Sequence, residues 1–159
     1  MIVTTVTAAW VAELQDALGP HSVLLDPDVT ASYARDQAML APAGTPAAVV
    51  LPRCTDDVVA VMRTASRHGI PVVPRGAGSA LAGASNAVDG AITLVMTRMN
   101  AVLEVSPADR LAVVQPGVVN KSLRDAVAGA GLSIRRTPPA TTGARSAATS
   151  PSTPVASAA

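Results

Sequence analysis

Short apolar runs alternate with segments of helical spacing along most of the chain. Apolar runs bounded by proline, glycine or polar turn residues are typical of buried strands. Such runs lie at 47–51, 72–73, 91–95, 101–105 and 111–114. Because strands and helices alternate on the scale of βαβ units, we expect a fold that mixes the two.

Two helices are predicted near the ends of this pattern. The first covers 7–18 and ends at Gly19-Pro20, and the last begins at Asn120 and ends at 129–131. The stretch between the first helix and the strand at 47–51 is polar, so we expect it to be mostly loop.

A third helix, between the strands at 47–51 and 72–73, has the clearest boundary signals. Thr55 is placed to cap its start, and Gly69 ends it. Cys54, just before the cap, is predicted to be a packing residue, and Arg67 to face water. The residues that the helical spacing assigns to the buried face are Val58, Val61, Met62 and Ala65.

The composition argues against several classes of partner. The 159 residues carry a net charge of +1, with one Trp, one Tyr and no Phe, so no basic surface or stacking platform for nucleic acid is expected. The single cysteine forms no internal disulfide and supplies too few thiolates for a structural zinc site, which indicates a reducing cytoplasm. No uncharged apolar run approaches the roughly 20 residues that a membrane span needs. We therefore expect a cytoplasmic protein without nucleic acid, metal or membrane span.

Glycines concentrate in the segment PRGAGSALAGASNAVDG at 74–90, between the predicted strands at 72–73 and 91–95. Glycine lets a backbone approach a ligand closely, and successive N–H groups are able to surround a phosphate. Arg75 adds a positive charge, suited either to a pyrophosphate or to holding the loop in place. This segment is the main candidate binding site.

Three other interpretations compete for this loop. A dinucleotide fingerprint would need a glycine where Leu81 stands, and it lacks its acidic residue further on. Gly78 and Gly83 have the spacing of a Walker-A motif, but Ala84 replaces the lysine that contacts the phosphates. On composition alone, a loop without any ligand stays open.

Several motifs together resemble the FAD-binding domain of the vanillyl-alcohol oxidase and p-cresol methylhydroxylase type. They are Y-A-R-D at 33–36, P-x-x-x-x-D-V at 52–58, H-G-I-P-V-V-P-R-G-A-G-S-A-L-A-G at 68–83, T-R-M-N at 97–100 and V-V-Q-P-G-V at 113–118. Within that superfamily the chain is most similar to the branch of the glycolate oxidase flavin subunit and D-lactate dehydrogenase. The resemblance covers roughly residues 8–132.

The resemblance implies an α+β fold in which 1–132 form the N-terminal subdomain of a two-subdomain FAD-binding domain and the start of the second. It implies an FAD-dependent oxidoreductase acting on a small 2-hydroxy acid of the D-lactate or glycolate class. Some relatives attach flavin covalently through a histidine in the first loop, where this chain has Ser79, so noncovalent FAD is implied. The implied cofactor-binding residues are Pro74, Arg75, Gly76, Ala77, Gly78, Ser79, Gly83, Pro116 and Gly117.

The last residues, 133–159, differ in composition from the rest. They contain three Arg but no Asp, Glu, Lys or aromatic residue, and they lack periodicity, so we predict a disordered tail. Codons can be chosen for this tail so that the frame shifted by two bases encodes YPPDPASYDWCSIGGNVAINAGGLCC. The relatives continue with P-P-D-P and G-G-N-x-A-x-N-A-G-G segments, and both are present in that string. We therefore hypothesise that the tail is translated out of frame.

No catalytic residue and no metal site is predicted in this chain, since the catalytic residues of the relatives would lie in a C-terminal region. The expected function is the FAD-binding part of an oxidoreductase, truncated and inactive in this form. Two alternatives stay open: a free-standing nucleotide- or phosphate-binding module, and a non-functional pseudogene product.

Overall fold

The computed structural model describes residues 8–38, 40–134 and the strand at 156–158. The chain divides into two compact units, residues 1–95 and 96–159. Each unit combines helices with a sheet, which confirms the α+β class. None of the helices in the described ranges is long and apolar enough to cross a membrane.

A four-stranded sheet with helices forms the first unit. Its elements are α1 (Ala9–Leu18), a 3₁₀ turn (Pro20–Ser22), β1 (Val23–Leu24), α2 (Pro27–Ala31), β2 (Ala48–Val50), α3 (Thr55–His68), β3 (Val72–Arg75) and β4 (Ile92–Val95). The strand order is β1-β2-β4-β3. β2, β4 and β3 are parallel, and β1 is antiparallel to β2.

The two central strands, β2 and β4, are buried along their whole length. Their continuous apolar sequences suit parallel strands that are covered on both faces. The register places Val49 opposite Thr93 and Val73 opposite Thr93 on the other side. The strands predicted at 47–51, 72–73 and 91–95 are therefore confirmed, with small changes at their ends.

α3 has the predicted length, and Gly69 ends it in the left-handed conformation with φ of +65°. Its start differs from the prediction. Cys54 occupies the N-cap position and is exposed rather than packed, and neither it nor Thr55 caps the helix through its side chain. Instead, the carboxylate of Asp57 accepts a hydrogen bond from the backbone N–H of Arg53 at 2.7 Å.

The buried face of α3 is also rotated from the predicted one. Val61, Thr64 and Ala65 are buried, whereas the side of the helix with Met62 is open, and Met62 is 48% exposed. The reason is α1, which packs against α3 and draws Thr64 into the interface through a 3.4 Å hydrogen bond to Glu13. Periodicity locates an apolar stripe but not the neighbour against which it packs.

Glu13 of α1 also pairs with two side chains in the last turn of α3. Its carboxylate lies 2.6 Å from Nη1 of Arg67 and 3.1 Å from Nε2 of His68. Arg67 is exposed, as predicted, but it is paired as well. The hydrogen bond with His68 is the largest cause that lowers the pKa of Glu13, and burial of the carboxyl opposes it.

The stretch predicted to be mostly loop contains two short elements, β1 and α2. The side chain of Asp26 caps α2 by accepting hydrogen bonds from the N–H groups of Asp28 and Val29, and Pro27 is the first helical residue. These are ordinary signals of a helix start. The prediction missed the helix because it is only five residues long.

The second unit is built on a hairpin. Its elements are β5 (Val102–Ser106), β6 (Leu111–Val114), α4 (Asn120–Ala128), β7 (Leu132–Ile134) and β8 (Ala156–Ala158), with a 3₁₀ turn (Met96–Arg98) before β5. β5 pairs antiparallel with β6, with an irregularity between Val102 and Glu104. The apolar core of this unit contains Val118, Leu123, Val127 and Leu132.

Two parts of the predicted tail are strands. Ser133 and Ile134 belong to β7, and β7 pairs antiparallel with β8. The remaining tail residues, 135–155 and 159, lie outside the described residues. Disorder in that part of the chain stays a prediction.

Candidate functional site

The glycine-rich loop begins where the parallel strand β3 ends. Ligands in sheets of this kind bind beyond the carboxyl ends of the strands, so the position suits a binding loop. From Gly76 to Ala84 the backbone is neither helix nor strand. Gly78 and Gly83 have positive φ, of +69° and +75°, which only glycine adopts without strain.

The middle of this loop offers hydrogen-bond donors. Among the described residues, the backbone N–H groups from 77 to 84 find no acceptor, and those of Ala77, Gly78 and Ser79 surround the first positive-φ glycine of the loop. Ala77 and Ser79 are exposed, and Gly78 is half-buried. Consecutive unpaired N–H groups around a positive-φ glycine form the kind of concavity that binds anions.

Arg75, the last residue of β3, is buried, with 9% of its surface exposed. Its guanidinium donates to the carbonyl of Arg35 at 2.8 Å and to the carbonyl of Ser85 at 3.5 Å. It also lies over the ring of Tyr33, 5.9 Å from the centroid. Of the two roles that the sequence allowed for Arg75, these contacts favour holding the loop in place.

Gly78 packs directly on this guanidinium. A Cβ atom at position 78 would lie 2.5 Å from Cζ and 3.0 Å from Nε of Arg75, which is closer than real contacts come. The position therefore favours glycine for its positive φ, and a side chain there would also displace the guanidinium beside it. Sequence reasoning gave a different reason, the approach of a ligand to the backbone.

Asp36 receives hydrogen bonds from both sides. Its carboxylate accepts from the N–H of Ala38 at 2.8 Å, from Oγ of Ser85 at 3.3 Å and from the N–H of Ser85 at 3.5 Å. These bonds, led by the one from Ala38, lower the pKa of Asp36, and the charge of Arg75 lowers it further. The carboxylate is thus held ionised beside the buried arginine.

Asn86 completes the connections at the far end of the loop. Its Oδ1 accepts a hydrogen bond from the N–H of Asp36 at 2.8 Å, and its Nδ2 donates to the carbonyl of Pro42 at 2.9 Å. Gly83 packs beside it, since a Cβ there would lie 3.3 Å from Nδ2 of Asn86 and 2.5 Å from Cβ of Ala41. Sequence reasoning assigned no role to Asn86, because its partners lie more than forty residues upstream.

Pro116 and Gly117 lie in the second unit, in the turn between β6 and α4. Gly117 is buried, and its N–H donates to the carbonyl of Met99 at 2.7 Å. A Cβ at Gly117 would meet the carbonyl oxygens of Met96 and Met99. The glycine is therefore needed for packing of this turn, and its N–H already has an acceptor.

Histidine, cysteine and acidic side chains form no cluster that would suit a metal ion anywhere in the described part of the chain.

Comparison with known proteins identifies what this loop belongs to. Residues 46–148 match the family model described as FAD binding domain. An uncharacterized FAD-linked oxidoreductase of Mycobacterium tuberculosis is 36% identical over 121 residues, 76% of this chain and 26% of the relative. D-2-hydroxyglutarate dehydrogenase of Stutzerimonas stutzeri is 36% identical over 125 residues, with 78% and 26% covered.

The fold has a counterpart among solved structures. The 4-ethylphenol oxidase from Gulosibacter chungangensis, in its isoeugenol complex, superposes with a TM-score of 0.69 and 31% identity. The match covers 83% of this chain and 27% of that one. The chain thus spans about a quarter of the length of the relatives it matches.

Proposed function

The chain belongs to the family of FAD-binding domains, and we propose that its loop Gly76–Ser79 holds the pyrophosphate of FAD through backbone N–H groups. The observation that carries the proposal is the run of N–H groups at 77–79 that have no acceptor among the described residues. A pyrophosphate carries the negative charge and the oxygen acceptors that such a run binds.

The residues present fit that group. Gly78 gives the loop its positive φ, and buried Arg75 keeps a positive charge directly beneath it. The two parts differ in what they do: the N–H groups contact the ligand, whereas Arg75 supports the loop from the protein side. Some members of the vanillyl-alcohol oxidase type attach flavin covalently through a histidine at the position of Ser79. We therefore propose that FAD binds noncovalently here.

We further propose that the whole protein is an FAD-dependent oxidoreductase of a small 2-hydroxy acid. The support is the resemblance to the glycolate and D-lactate branch and the name of the Stutzerimonas relative, a D-2-hydroxyglutarate dehydrogenase. Bound FAD supplies the acceptor for the hydride that leaves the substrate. The residues of this chain would bind and orient that cofactor. The family resemblance also implies that Pro116 and Gly117 line the cofactor.

We propose that the tail of the 159-residue chain is translated out of frame and that the chain is inactive in this form. The family match reaches residue 148, which favours an in-frame tail. Against this, the frame shifted by two bases encodes both the P-P-D-P and the G-G-N-x-A-x-N-A-G-G segments. Such a coincidence is rare, because the amino acids of the tail fix two of the three bases in nearly every shifted codon. Sequencing the gene decides between an in-frame and an out-of-frame tail. A gene whose shifted frame does not encode the P-P-D-P segment would reject the hypothesis of an out-of-frame tail.

We also propose a location in the cytoplasm, which the single cysteine indicates.

Nuclear magnetic resonance tests the pyrophosphate site directly. Pyrophosphate, ADP and FAD are each titrated into the ¹⁵N-labelled chain while backbone amide shifts are followed. We expect the largest shifts at Ala77, Gly78 and Ser79 for all three ligands, because they share the pyrophosphate. Shifts confined to other residues would reject the site.

A matched glycine variant serves as the control for this titration. Gly78→Val should abolish the shifts, whereas Gly69→Val, at another positive-φ glycine that ends α3, should keep them. Tight FAD binding by this chain without oxidation of any hydroxy acid would favour the alternative of a free-standing binding module.

A further inference from the structure

We propose that Asp36 is a positioning residue that fixes the shape of the glycine-rich loop, acting within a segment, Arg35–Gln37, that we call the brace. The effect of Asp36 on cofactor binding rests on the proposed function, whereas its effect on the shape of the loop does not. The positioning itself concerns contacts inside the first unit.

The brace touches the loop at its start, its middle and its end. At the start, the carbonyl of Arg35 accepts a hydrogen bond from Arg75 at 2.8 Å. In the middle, the N–H of Gln37 donates to the carbonyl of Ala80 at 3.1 Å. At the end, the carboxylate of Asp36 accepts from the N–H and Oγ of Ser85. Three consecutive residues therefore hold the span from 75 to 85, whose ends are ten positions apart.

Asp36 contacts the loop through its side chain, whereas Arg35 and Gln37 contact it through backbone atoms. The same carboxylate also accepts the N–H of Ala38, so it fixes its own segment and the end of the loop at once. Its backbone N–H in turn donates to Oδ1 of Asn86, the residue that follows Ser85. Charge adds to these bonds, because Arg75 is the charged side chain that acts on Asp36 electrostatically.

This arrangement explains how the middle of the loop keeps its shape although its own N–H groups make no hydrogen bonds among the described residues. The N–H groups of Ala77, Gly78 and Ser79 are unpaired within the described residues, so they contribute nothing to loop rigidity. A binding loop of this kind loses affinity when it must be ordered by its ligand. A loop whose two ends are joined through Asp36 and Arg75 is ordered beforehand.

The experiment measures backbone order in the ligand-free 159-residue chain by ¹⁵N relaxation. With the brace intact, the amides of 77–79 should have order parameters near the value of about 0.85 typical of rigid backbone. In Asp36→Ala they should fall below about 0.6, while amides of β4 keep their values. Asp36→Asn keeps an acceptor for Ala38 and should lie between the two, which a merely global loss of stability would not produce.

Two matched variants sharpen the test. Ser85→Ala removes only the side-chain bond at the end of the loop and should give a smaller drop than Asp36→Ala. Asp28→Asn changes an exposed acid whose carboxylate accepts no hydrogen bond from the described residues, and it should leave the loop unchanged. An unaltered loop in Asp36→Ala, or an equal loss of order in the loop and in β4, would overturn the proposal.

Anion affinity separates this inference from the proposed function. Asp36→Ala should weaken pyrophosphate binding on the order of tenfold, through the cost of ordering the loop. If the unmodified chain binds no pyrophosphate while Asp36→Ala still loosens the loop, the positioning role stands and the proposed function fails.

Discussion

Arg75 and Gly78 act as a pair at the scale of single residues. The arginine is buried under the loop, and the missing side chain of the glycine makes room for it. The pattern of glycines predicted the loop, but not this contact. The guanidinium donates to the backbone carbonyls of residues 35 and 85. Every residue has a backbone carbonyl, so these acceptors cannot be predicted from the residue types.

Substituting Gly78 by alanine tests this contact through stability. Gly69 has nearly the same φ, +65° against +69°, but a Cβ atom added at Gly69 would have no other atom within 4 Å. Gly69→Ala should therefore cost only the backbone strain, about 1 kcal/mol, whereas Gly78→Ala should cost about 2–3 kcal/mol because Arg75 must also move. Urea denaturation of the two variants measures the difference, and equal losses would show that the arginine yields freely.

Anion binding gives a second prediction for the same pair. Arg75→Lys keeps the charge but loses the planar fork that reaches two carbonyls, which should weaken pyrophosphate binding about 5- to 150-fold. Gly78→Val should weaken it more, because the branched side chain both forbids the positive φ and displaces Arg75. Amide shift titrations rank the two variants. The reverse ranking would mean that the planar fork of Arg75 matters more than the glycine conformation at position 78.

At the scale of elements, the sequence predicted α3 well because its signals are local. Two aspartates lie in its first turn and Gly69 ends it, so the extent of the helix follows from nearby residues, although the cap at its start does not. The direction that the helix faces depends on α1, which lies more than forty residues earlier at Glu13. For that reason helical spacing alone predicts Met62 on the buried face, although its side chain is exposed.

Core substitutions on α3 check its orientation. Val61 is completely buried, so Val61→Ala should lower the free energy of unfolding by about 2 kcal/mol. Met62→Ala, one position further on, should change it by less than about 0.5 kcal/mol, as substitutions at exposed positions do. Thermal and urea unfolding compare the pair. A larger loss at Met62 would restore the face that periodicity predicted.

The junction of α1 with α3 should depend on pH through Glu13. Its pKa is lowered in the folded chain, so its stabilising contribution is complete above the ordinary glutamate value of about 4.3 and disappears as the pH falls through the lowered pKa. Glu13→Gln should therefore melt a few degrees below the unmodified chain near neutral pH, with the gap closing in acid and in high salt. A gap that persists at low pH would show that the hydrogen bonds, not the charge, hold the helices.

At the scale of the whole molecule, the chain covers about a quarter of the length of its relatives. Motifs spread from residue 33 to residue 118 predicted the family, and the match to the FAD-binding domain confirms it. They predicted the supporting contacts less well, since Asp36 and Asn86 gained their roles only when folding brought distant segments together. The family motifs therefore indicate where the loop lies, while its shape depends on contacts between residues that are distant in the sequence.

The same short span limits how firmly this chain should hold FAD. A bound ligand of this size normally has most of its surface covered by protein, and the proposed loop covers only the pyrophosphate. We therefore expect FAD to bind only weakly, so that flavin absorbance is lost on dialysis even though FAD and pyrophosphate still shift the amides of 77–79 during titration. Equilibrium dialysis with FAD measures this, with Gly78→Val as the variant that lacks the site. Retention of one flavin per chain after dialysis would contradict the expectation, and it would place the rest of the FAD contacts within these 159 residues.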